Sequence, residues 1–189
     1  MRAIAVFLAV VLPSVLAFAA DKNDKAEKQR QEIQKMEKDV LAKLYAAQPA
    51  GKAAVEKAAG YAVFSNFGMK ILFAGTGSGK GVAVDRNSGQ RTYMRMGEQQ
   101  AGVGIGVKKF QVVFVFETAD KLSAFINQGW EFGGQTTAAA TTGEQGAALA
   151  GAMSVQPGVW MYQMTDKGLA VEATVKGTKY WKDEDLNKT

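Results

Sequence analysis

The sequence contains no cysteine and no histidine among its 189 residues. The absence of cysteine excludes disulfide bonds, thiolate chemistry and lipid attachment through a leading cysteine. The absence of histidine removes the commonest general base and the commonest metal ligand of proteins. A catalytic mechanism would have to use Asp, Glu, Lys, Ser or Tyr alone. We therefore expect a protein that is not an enzyme, with no catalytic residues, no metal site and no cofactor.

A complete nucleotide-binding motif is also missing, although the stretch AGTGSGKGVAV at residues 74–84 looks like one. When Gly79 and Lys80 are aligned to the Gly-Lys pair of a P-loop, the first glycine of the motif falls on Ala74 and the hydroxyl position on Gly81. The dinucleotide pattern G-x-G-x-x-G fails as well, because Lys80 stands where its third glycine is needed. The glycines of this stretch need another explanation.

The first twenty residues have the features of a secretory signal peptide. Arg2 gives a charged start, residues 3–12 are apolar, and Ala17-Phe18-Ala19 is a small-x-small cleavage site. A membrane anchor is less favoured, because Pro13 interrupts a run that is short for spanning. We expect cleavage near Ala19 and a secreted bacterial protein of the periplasm or cell envelope.

The chain is mildly basic, with a formal net charge of +5 and 47% hydrophobic residues. This composition is ordinary for a globular domain. A small positive charge suits an anionic surface as partner but is too small to indicate nucleic acid, and we expect no nucleic-acid partner.

Helical periodicity appears first at residues 24–47. We expect Asp24 to cap this helix, with Glu27 completing a capping box. Apolar residues at helical spacing form one stripe, which we expect to pack on the domain: Ile33, Met36, Val40, Leu41 and Leu44. Pro49 should end the helix, and a second one is predicted at about 51–59, ending at Gly60.

From Tyr61 onward the pattern is typical of strands, interrupted by one helix that Thr118 caps and Gly129 ends. The predicted strands include YAVFSNF, KILFAG, GKGVAVDR, QRTYMRM, AGVGIGVKK and FQVVFVFE, followed by a hairpin within residues 158–177 and a charged tail. The fold class is therefore α+β: N-terminal helices followed by a curved, mainly antiparallel β-sheet of about seven to nine strands with one inserted helix.

Two stripes of glycine alternate along predicted strands: Gly75, Gly77, Gly79 and Gly81, and then Gly102, Gly104 and Gly106. Residues two apart share one face of a strand, so each stripe leaves a face without side chains. Close packing of a neighbouring element, or sharp coiling of the sheet, is the favoured explanation. A ligand lying on the bare face is the alternative.

Four blocks in the same order resemble the SYLF domain family. They are AAVEKAAGYAVFSNFGMKILFAGTGSGKGVAV, QQAGVGIGVKKFQVVFVFE, FGGQTTAAAT and VWMYQMTDKGLAVEATVKGTKYWKDEDLN. The resemblance covers roughly residues 40–187. Together with the patterns described above, it divides the chain into a signal peptide (1–19), an N-terminal amphipathic helix (20–48) and a SYLF-like domain (49–189). It implies lipid binding: eukaryotic members bind phosphoinositides and, in yeast, actin filaments, while bacterial members are mostly exported.

The resulting hypothesis is non-catalytic binding of an anionic phospholipid surface at the bacterial envelope. The candidate lipid-binding residues are Lys70, Lys80, Arg86, Lys108 and Lys109, each of which could also be an ordinary surface charge. The alternative is a protein-interaction or scaffold module with an envelope protein partner and no lipid. Tryptophans 130, 160 and 181 could form an interfacial belt, but core positions are favoured.

An enzyme has little support in the pattern of polar residues. Glu117 and Asp120 lie at a helix start, where carboxylates complement the helix dipole. Ser65, Ser78 and Lys80 have no neighbouring nucleophile pattern.

Overall fold

The computed structural model describes residues 14–65, 79–98, 111–131, 149–165, 168–169 and 178–188, with side chains from Lys22 onward. The helices are α1 (Ser14–Ala47), α2 (Pro49–Lys57) and α3 (Ala119–Gln128). The strands are β1 (Gly60–Ser65), β2 (Gly79–Asp85), β3 (Arg91–Glu98), β4 (Gln111–Phe116), β5 (Trp130–Glu131), β6 (Met153–Gln156), β7 (Val159–Thr165), β8 (Gly168–Leu169) and β9 (Thr178–Lys182).

The strands form one sheet in the order β5-β9-β3-β2-β1-β4-β7-β6, with β8 paired to β7. Every pair among the described strands is antiparallel. The α+β class, the antiparallel sheet and the helix inserted after β4 are confirmed.

The sheet curls around an aromatic core on one face, which we call the inner face. Phe64 on β1 and Tyr180 on β9 have ring centroids only 4.7 Å apart. Their strands are third neighbours, and in a flat sheet they would lie about 14 Å apart. Helix α3 closes the curl through Phe125, which contacts both rings. Phe114 packs in the same cluster.

The glycine stripe of β2 lies at the inside of this curl. A Cβ on Gly79 would lie 2.6 Å from the carbonyl oxygen of Ser65, and a Cβ on Gly81 would collide with the Phe64 ring. Side chains of the neighbouring strands thus fill the space that the glycines leave. Close packing therefore explains the part of the stripe that the structure describes. The other stripe positions, Gly75, Gly77, Gly102, Gly104 and Gly106, lie outside the described residues.

Helices α1 and α2 cover the opposite, outer face. Ile33, Val40 and Leu44 of α1 are fully buried, and Leu44 packs in a cluster with Val63 and Val113 of the sheet. The predicted packing of the apolar stripe on the domain is confirmed. None of the helices in the described ranges has an apolar stretch long enough to cross a membrane.

Several predicted boundaries were wrong. Asp24 does not cap α1, because the helix begins at Ser14 and continues through it; alanine and leucine before Asp24 favour helix as strongly as the residues after it. Helix α2 begins at Pro49, whose fixed φ suits the first helical turn, and Gly60 belongs to β1 rather than ending the helix. The caps Thr118 and Gly129 of α3 are confirmed.

Candidate functional site

A basic cavity of about 800 Å³ lies at the outer face, beneath the N-terminal part of α1. It is bounded by α1, the start of β2, the end of β3 and the last residues of the chain. Six cationic side chains line it: Lys22, Lys25, Arg30, Lys80, Arg95 and Lys188. Asp185 is the one carboxylate among the lining residues, and Ala26, Met96, Trp181 and Leu186 add apolar surface. We call this cavity the cationic chamber.

The centre of the chamber is a row of residues across three strands. Lys80 on β2 is directly opposite Arg95 on β3, and Arg95 is directly opposite Trp181 on β9. Directly opposed residues of antiparallel strands have Cβ atoms about 5 Å apart, and like charges in such a pair are destabilising. Local conflicts of this kind are expected at functional sites. An anion bound between the two cations would relieve the repulsion.

The Lys80 side chain is half-buried, and its Nζ donates a hydrogen bond to Oε1 of Gln29 on α1 at 2.5 Å. Burial is the largest influence on this group and lowers the pKa of Lys80 below its ordinary value. The charge of Asp183 opposes this shift, and that of Arg95 reinforces it. The partner of Lys80 is thus a neutral amide, in contrast to the carboxylates that face Arg95.

Arg95 is held by a buried carboxylate. Its Nε and Nη2 donate to Asp183 at 2.7 and 3.1 Å, and Asp183 is fully buried. These hydrogen bonds raise the pKa of Arg95, so the guanidinium remains charged. Nη2 also lies 3.5 Å from Asp185. Asp183 and Asp185 thus hold the guanidinium of Arg95 in place at the wall of the chamber.

The charged tail predicted from the sequence is an ordered wall of the chamber. Asn187 donates from Nδ2 to the Tyr93 carbonyl at 2.7 Å and accepts from the Tyr93 N–H at 2.9 Å. Its amide side chain thereby continues the backbone pairing along β3. Arg30 of α1 donates to the carbonyl oxygens of Leu186 and Lys188, both at 2.9 Å. These bonds tie the chain end to the helix.

Helix α1 is fastened to the sheet by a second polar group deeper in the outer face. The Glu37 side chain is 3% exposed and accepts hydrogen bonds from the Tyr61 hydroxyl, at 2.7 Å, and from Arg91 in a short contact. Burial, followed by the bond to Glu37, raises the pKa of Tyr61. Gln34 donates to the Tyr93 hydroxyl at 2.8 Å. The helix position over the chamber is therefore fixed at several points.

The tryptophans divide into two groups. Trp160 is buried, with its Nε1 donating to Glu117 at 2.7 Å, and Trp130 packs against the inner aromatic core. Trp181 is 37% exposed, and its ring lies close over the backbone of Gly97, where an added Cβ would be 3.0 Å away. Only this third tryptophan adjoins the cationic chamber.

The structure separates the two predicted lipid-binding residues that it describes. Lys80 lies in the chamber, whereas Arg86 follows the far end of β2, about 20 Å away along the strand. There the exposed Arg86 donates to the Val55 carbonyl of α2 at 2.8 Å. Lys70, Lys108 and Lys109 lie outside the described residues, and their role in lipid binding stays a prediction.

Sequence reasoning missed five of the six cations of the chamber. One signal for Arg95 was available, because a hairpin closed around residues 86–90 places Arg95 opposite Lys80. Lys22, Lys25, Arg30 and Lys188 come from opposite ends of the chain, and no local pattern joins them.

Ser65, Ser78 and Glu117 were among the residues considered as catalytic groups. Ser65 is fully buried, Ser78 lies outside the described residues, and Glu117 bonds Trp160. Within the described ranges, no three carboxylates are placed together so as to hold a metal ion.

Comparison with known proteins places the chain in a family. Residues 97–189 match the family model Ysc84, described as Las17-binding protein actin regulator. The match includes Trp181 and the C-terminal wall of the chamber. The chain is also 38% identical over 178 residues to Beta cell expansion factor A of Aeromonas veronii. The alignment covers 90% of this chain and 66% of that relative's length.

Proposed function

Because the chain belongs to the Ysc84 family, which is the SYLF domain family, we propose that it is a non-catalytic binding protein whose cationic chamber takes the headgroups of anionic phospholipids. The observation that carries this proposal is the cross-strand pair of Lys80 and Arg95, with the exposed Trp181 beside it. A phosphate in this row would meet the charge of Lys80, while the charge of Arg95 is already paired with Asp183. A partly exposed tryptophan is well suited to the boundary between headgroups and acyl chains.

The expected strength of binding follows from the charges. A Lys or Arg near an anionic membrane surface contributes about 1 kcal/mol. Arg95, Lys188 and Arg30 already face Asp183, Asp185 and Glu27, so at most the other three cations of the chamber add to the attraction. About 3 kcal/mol corresponds to a Kd of several mM, since about 4 kcal/mol corresponds to about 1 mM and each loss of about 1.4 kcal/mol weakens binding about tenfold. Electrostatic attraction alone therefore gives weak binding, and we expect contacts of Trp181 with the lipid to supply the remaining binding free energy.

The site of action is part of the same proposal. Residues 1–19 have the pattern of a secretory signal peptide, and the relative from Aeromonas veronii is bacterial. Removal of these residues would retain Lys22 and Lys25, so the lysines of the helix would remain with the exported chain. We propose that the protein acts at the bacterial cell envelope.

The test is flotation of the purified protein with phospholipid vesicles, with and without anionic lipid, at low and high salt. We expect flotation only with anionic lipid and its loss at high salt, because exposed charges are screened. A Lys22→Ala/Lys25→Ala/Lys80→Ala variant should float less. The matched control is Lys38→Ala/Lys52→Ala/Lys57→Ala, which removes the same charge from exposed positions away from the chamber and should float normally.

A third variant examines the prediction made from sequence, Lys70→Ala/Lys108→Ala/Lys109→Ala. Reduced flotation of this variant, with its fold intact, would support a contribution of these lysines. The absence of flotation of the unmodified protein under every condition would refute lipid binding.

The second candidate function is protein interaction without a lipid ligand. It is favoured by the description of the family model, which names binding of a protein, Las17. In that case, an envelope protein partner should associate with the purified protein in the absence of lipid, and the association should be lost in a Trp181→Ala variant.

A further inference from the structure

Lys80 differs from Arg30, Arg95 and Lys188, each of which has a carboxylate partner. Its hydrogen bond goes to the neutral amide of Gln29, and no carboxylate of the described residues lies within ion-pair distance of its Nζ. By contrast, Arg95 binds Asp183 and Lys188 binds Asp185 at 3.0 Å. The amine of Lys80 is thus half-buried, accessible from an 800 Å³ cavity and without an anionic partner there.

We propose that Lys80 is a selectively reactive amine that condenses with aldehydes carrying a phosphate group. The inference rests on the proposed anion-binding role of the chamber and adds a covalent modification site to it. The phosphate would lie among the neighbouring cations, with Arg95 directly across from Lys80. Binding of the anion would hold the aldehyde carbon close to Nζ, which raises the effective concentration of the reactants.

The reaction requires the neutral amine. The ammonium of Lys80 releases one proton to solvent, and the nitrogen lone pair then adds to the aldehyde carbon to give a carbinolamine. One N–H proton passes to the oxygen when the carbinolamine forms, and the hydroxyl then leaves with the second N–H proton as water, which leaves the C=N bond of an imine. No oxidant or reductant is consumed, and the step is reversible.

Burial of Lys80 favours the neutral amine, whereas the charges around it act in both directions. Lys22, Lys25, Arg30 and Glu32 come from α1, Arg95 comes from β3, and Asp183, Asp185 and Lys188 come from the chain end. Burial, the largest influence, lowers the pKa of Lys80 and Arg95 reinforces this shift, whereas Asp183, Glu32 and Asp185 oppose it. A desolvated lysine beside other cations is a known way to activate an amine as nucleophile.

The test is labelling of the full protein with pyridoxal 5′-phosphate, trapping of the imine with borohydride, and quantification of each lysine by peptide mass spectrometry. We expect Lys80 to be labelled several-fold faster than Lys28 and Lys35, which are exposed on α1. Its labelling should also begin at lower pH than theirs. Pyridoxal, which lacks the phosphate, should label Lys80 more slowly, and excess inorganic phosphate should protect it.

Labelling of Lys80 no faster than that of Lys28 and Lys35 would overturn the proposal. Equal labelling by pyridoxal and pyridoxal 5′-phosphate would overturn its phosphate requirement. A Lys80→Arg variant, which keeps the charge but has no amine, should lose the fast-labelling site. Flotation without selective labelling would mean that only the covalent site is wrong, whereas phosphate-protected labelling without flotation would mean that the lipid assignment is wrong.

Discussion

Replacing Arg91 with alanine should destabilise the protein more than replacing Glu37 with glutamine, although the two residues form one ion pair. The asymmetry follows from exposure: the Glu37 side chain is 3% exposed, whereas that of Arg91 is 37% exposed. Arg91→Ala leaves a carboxylate buried with the Tyr61 hydroxyl as its remaining donor in the described contacts. Glu37→Gln leaves a guanidinium that can turn toward water.

The magnitudes can be bounded from these exposures. Removal of one partner from a buried ion pair costs about 3–5 kcal/mol, because the other charge stays buried without compensation. We expect the free energy of unfolding to fall by about 3 kcal/mol in Arg91→Ala. The loss of a hydrogen bond to a charged group that can be resolvated is smaller, and we expect about 1–2 kcal/mol for Glu37→Gln.

Urea unfolding, followed by circular dichroism at constant pH and salt, measures both values. A Glu37→Gln/Arg91→Ala double variant should be more stable than Arg91→Ala alone, because the stranded carboxylate is replaced by an amide. Lys52→Ala is the control, since its ion pair with Glu56 is 3.8 Å long and exposed on both sides; it should cost less than about 0.5 kcal/mol. The reasoning is refuted if Glu37→Gln costs as much as Arg91→Ala.

Two further predictions concern the glycine stripe and a buried hydroxyl. Gly81→Ala should lower the free energy of unfolding by about 1–3 kcal/mol, because the new Cβ meets the Phe64 ring. Gly89→Asn is the control and should change the free energy of unfolding little, because Gly89 lies in an open turn with φ of 73°. Equal urea midpoints for the two variants would contradict the packing explanation. Burial raises the pKa of Tyr162 to about 12, from about 10 in an unfolded chain, so the folded state retains a proton that the unfolded state loses. This group should leave the free energy of unfolding unaffected below about pH 10 and should lower it between about pH 10 and pH 12. The Tyr162→Phe variant should lose less stability over that range. An alkaline unfolding curve of the variant that coincides with that of the unmodified protein would argue against this prediction.

The fold was largely predictable because its signals are local. The apolar stripe of α1, the aromatic and β-branched residues of β1 and β4, and the Thr118 and Gly129 caps of α3 each depend on neighbours within a few residues. The start of α1 was misplaced because Asp24 is a plausible cap in a segment that can be helical on both sides. The extent of the sheet's curl could not be predicted, since it depends on contacts such as that between Phe64 and Tyr180.

The chamber was much less predictable than the fold. Lys80 was predicted only as one of five candidate cations, and Arg86, another of the five, lies at the other end of its strand. Arg30 and Asn187 are 157 positions apart in sequence, yet both hold the C-terminal wall in place. A site assembled from the two ends of a chain leaves no spacing that a motif could encode. The Asn187 side chain holds the chain end by hydrogen bonds with the Tyr93 backbone. Residue type alone does not reveal such bonds.

The glycine stripe and the cationic chamber are two consequences of one alternation along β2. Gly79 and Gly81 point inward, where the absence of side chains admits the Phe64 ring and the curl of the sheet. Lys80 lies between them and must therefore point outward, beneath α1 and opposite Arg95. A shift of β2 by one residue would bring the lysine into the aromatic core and expose the glycines, so the packing of Phe64 fixes the register that places the amine in the chamber. Gly81→Ala should for this reason slow the labelling of Lys80 by pyridoxal 5′-phosphate in addition to lowering stability. A destabilising mutation far from β2, such as Val159→Ala at a buried position of β7, should leave the labelling rate of the folded protein unchanged.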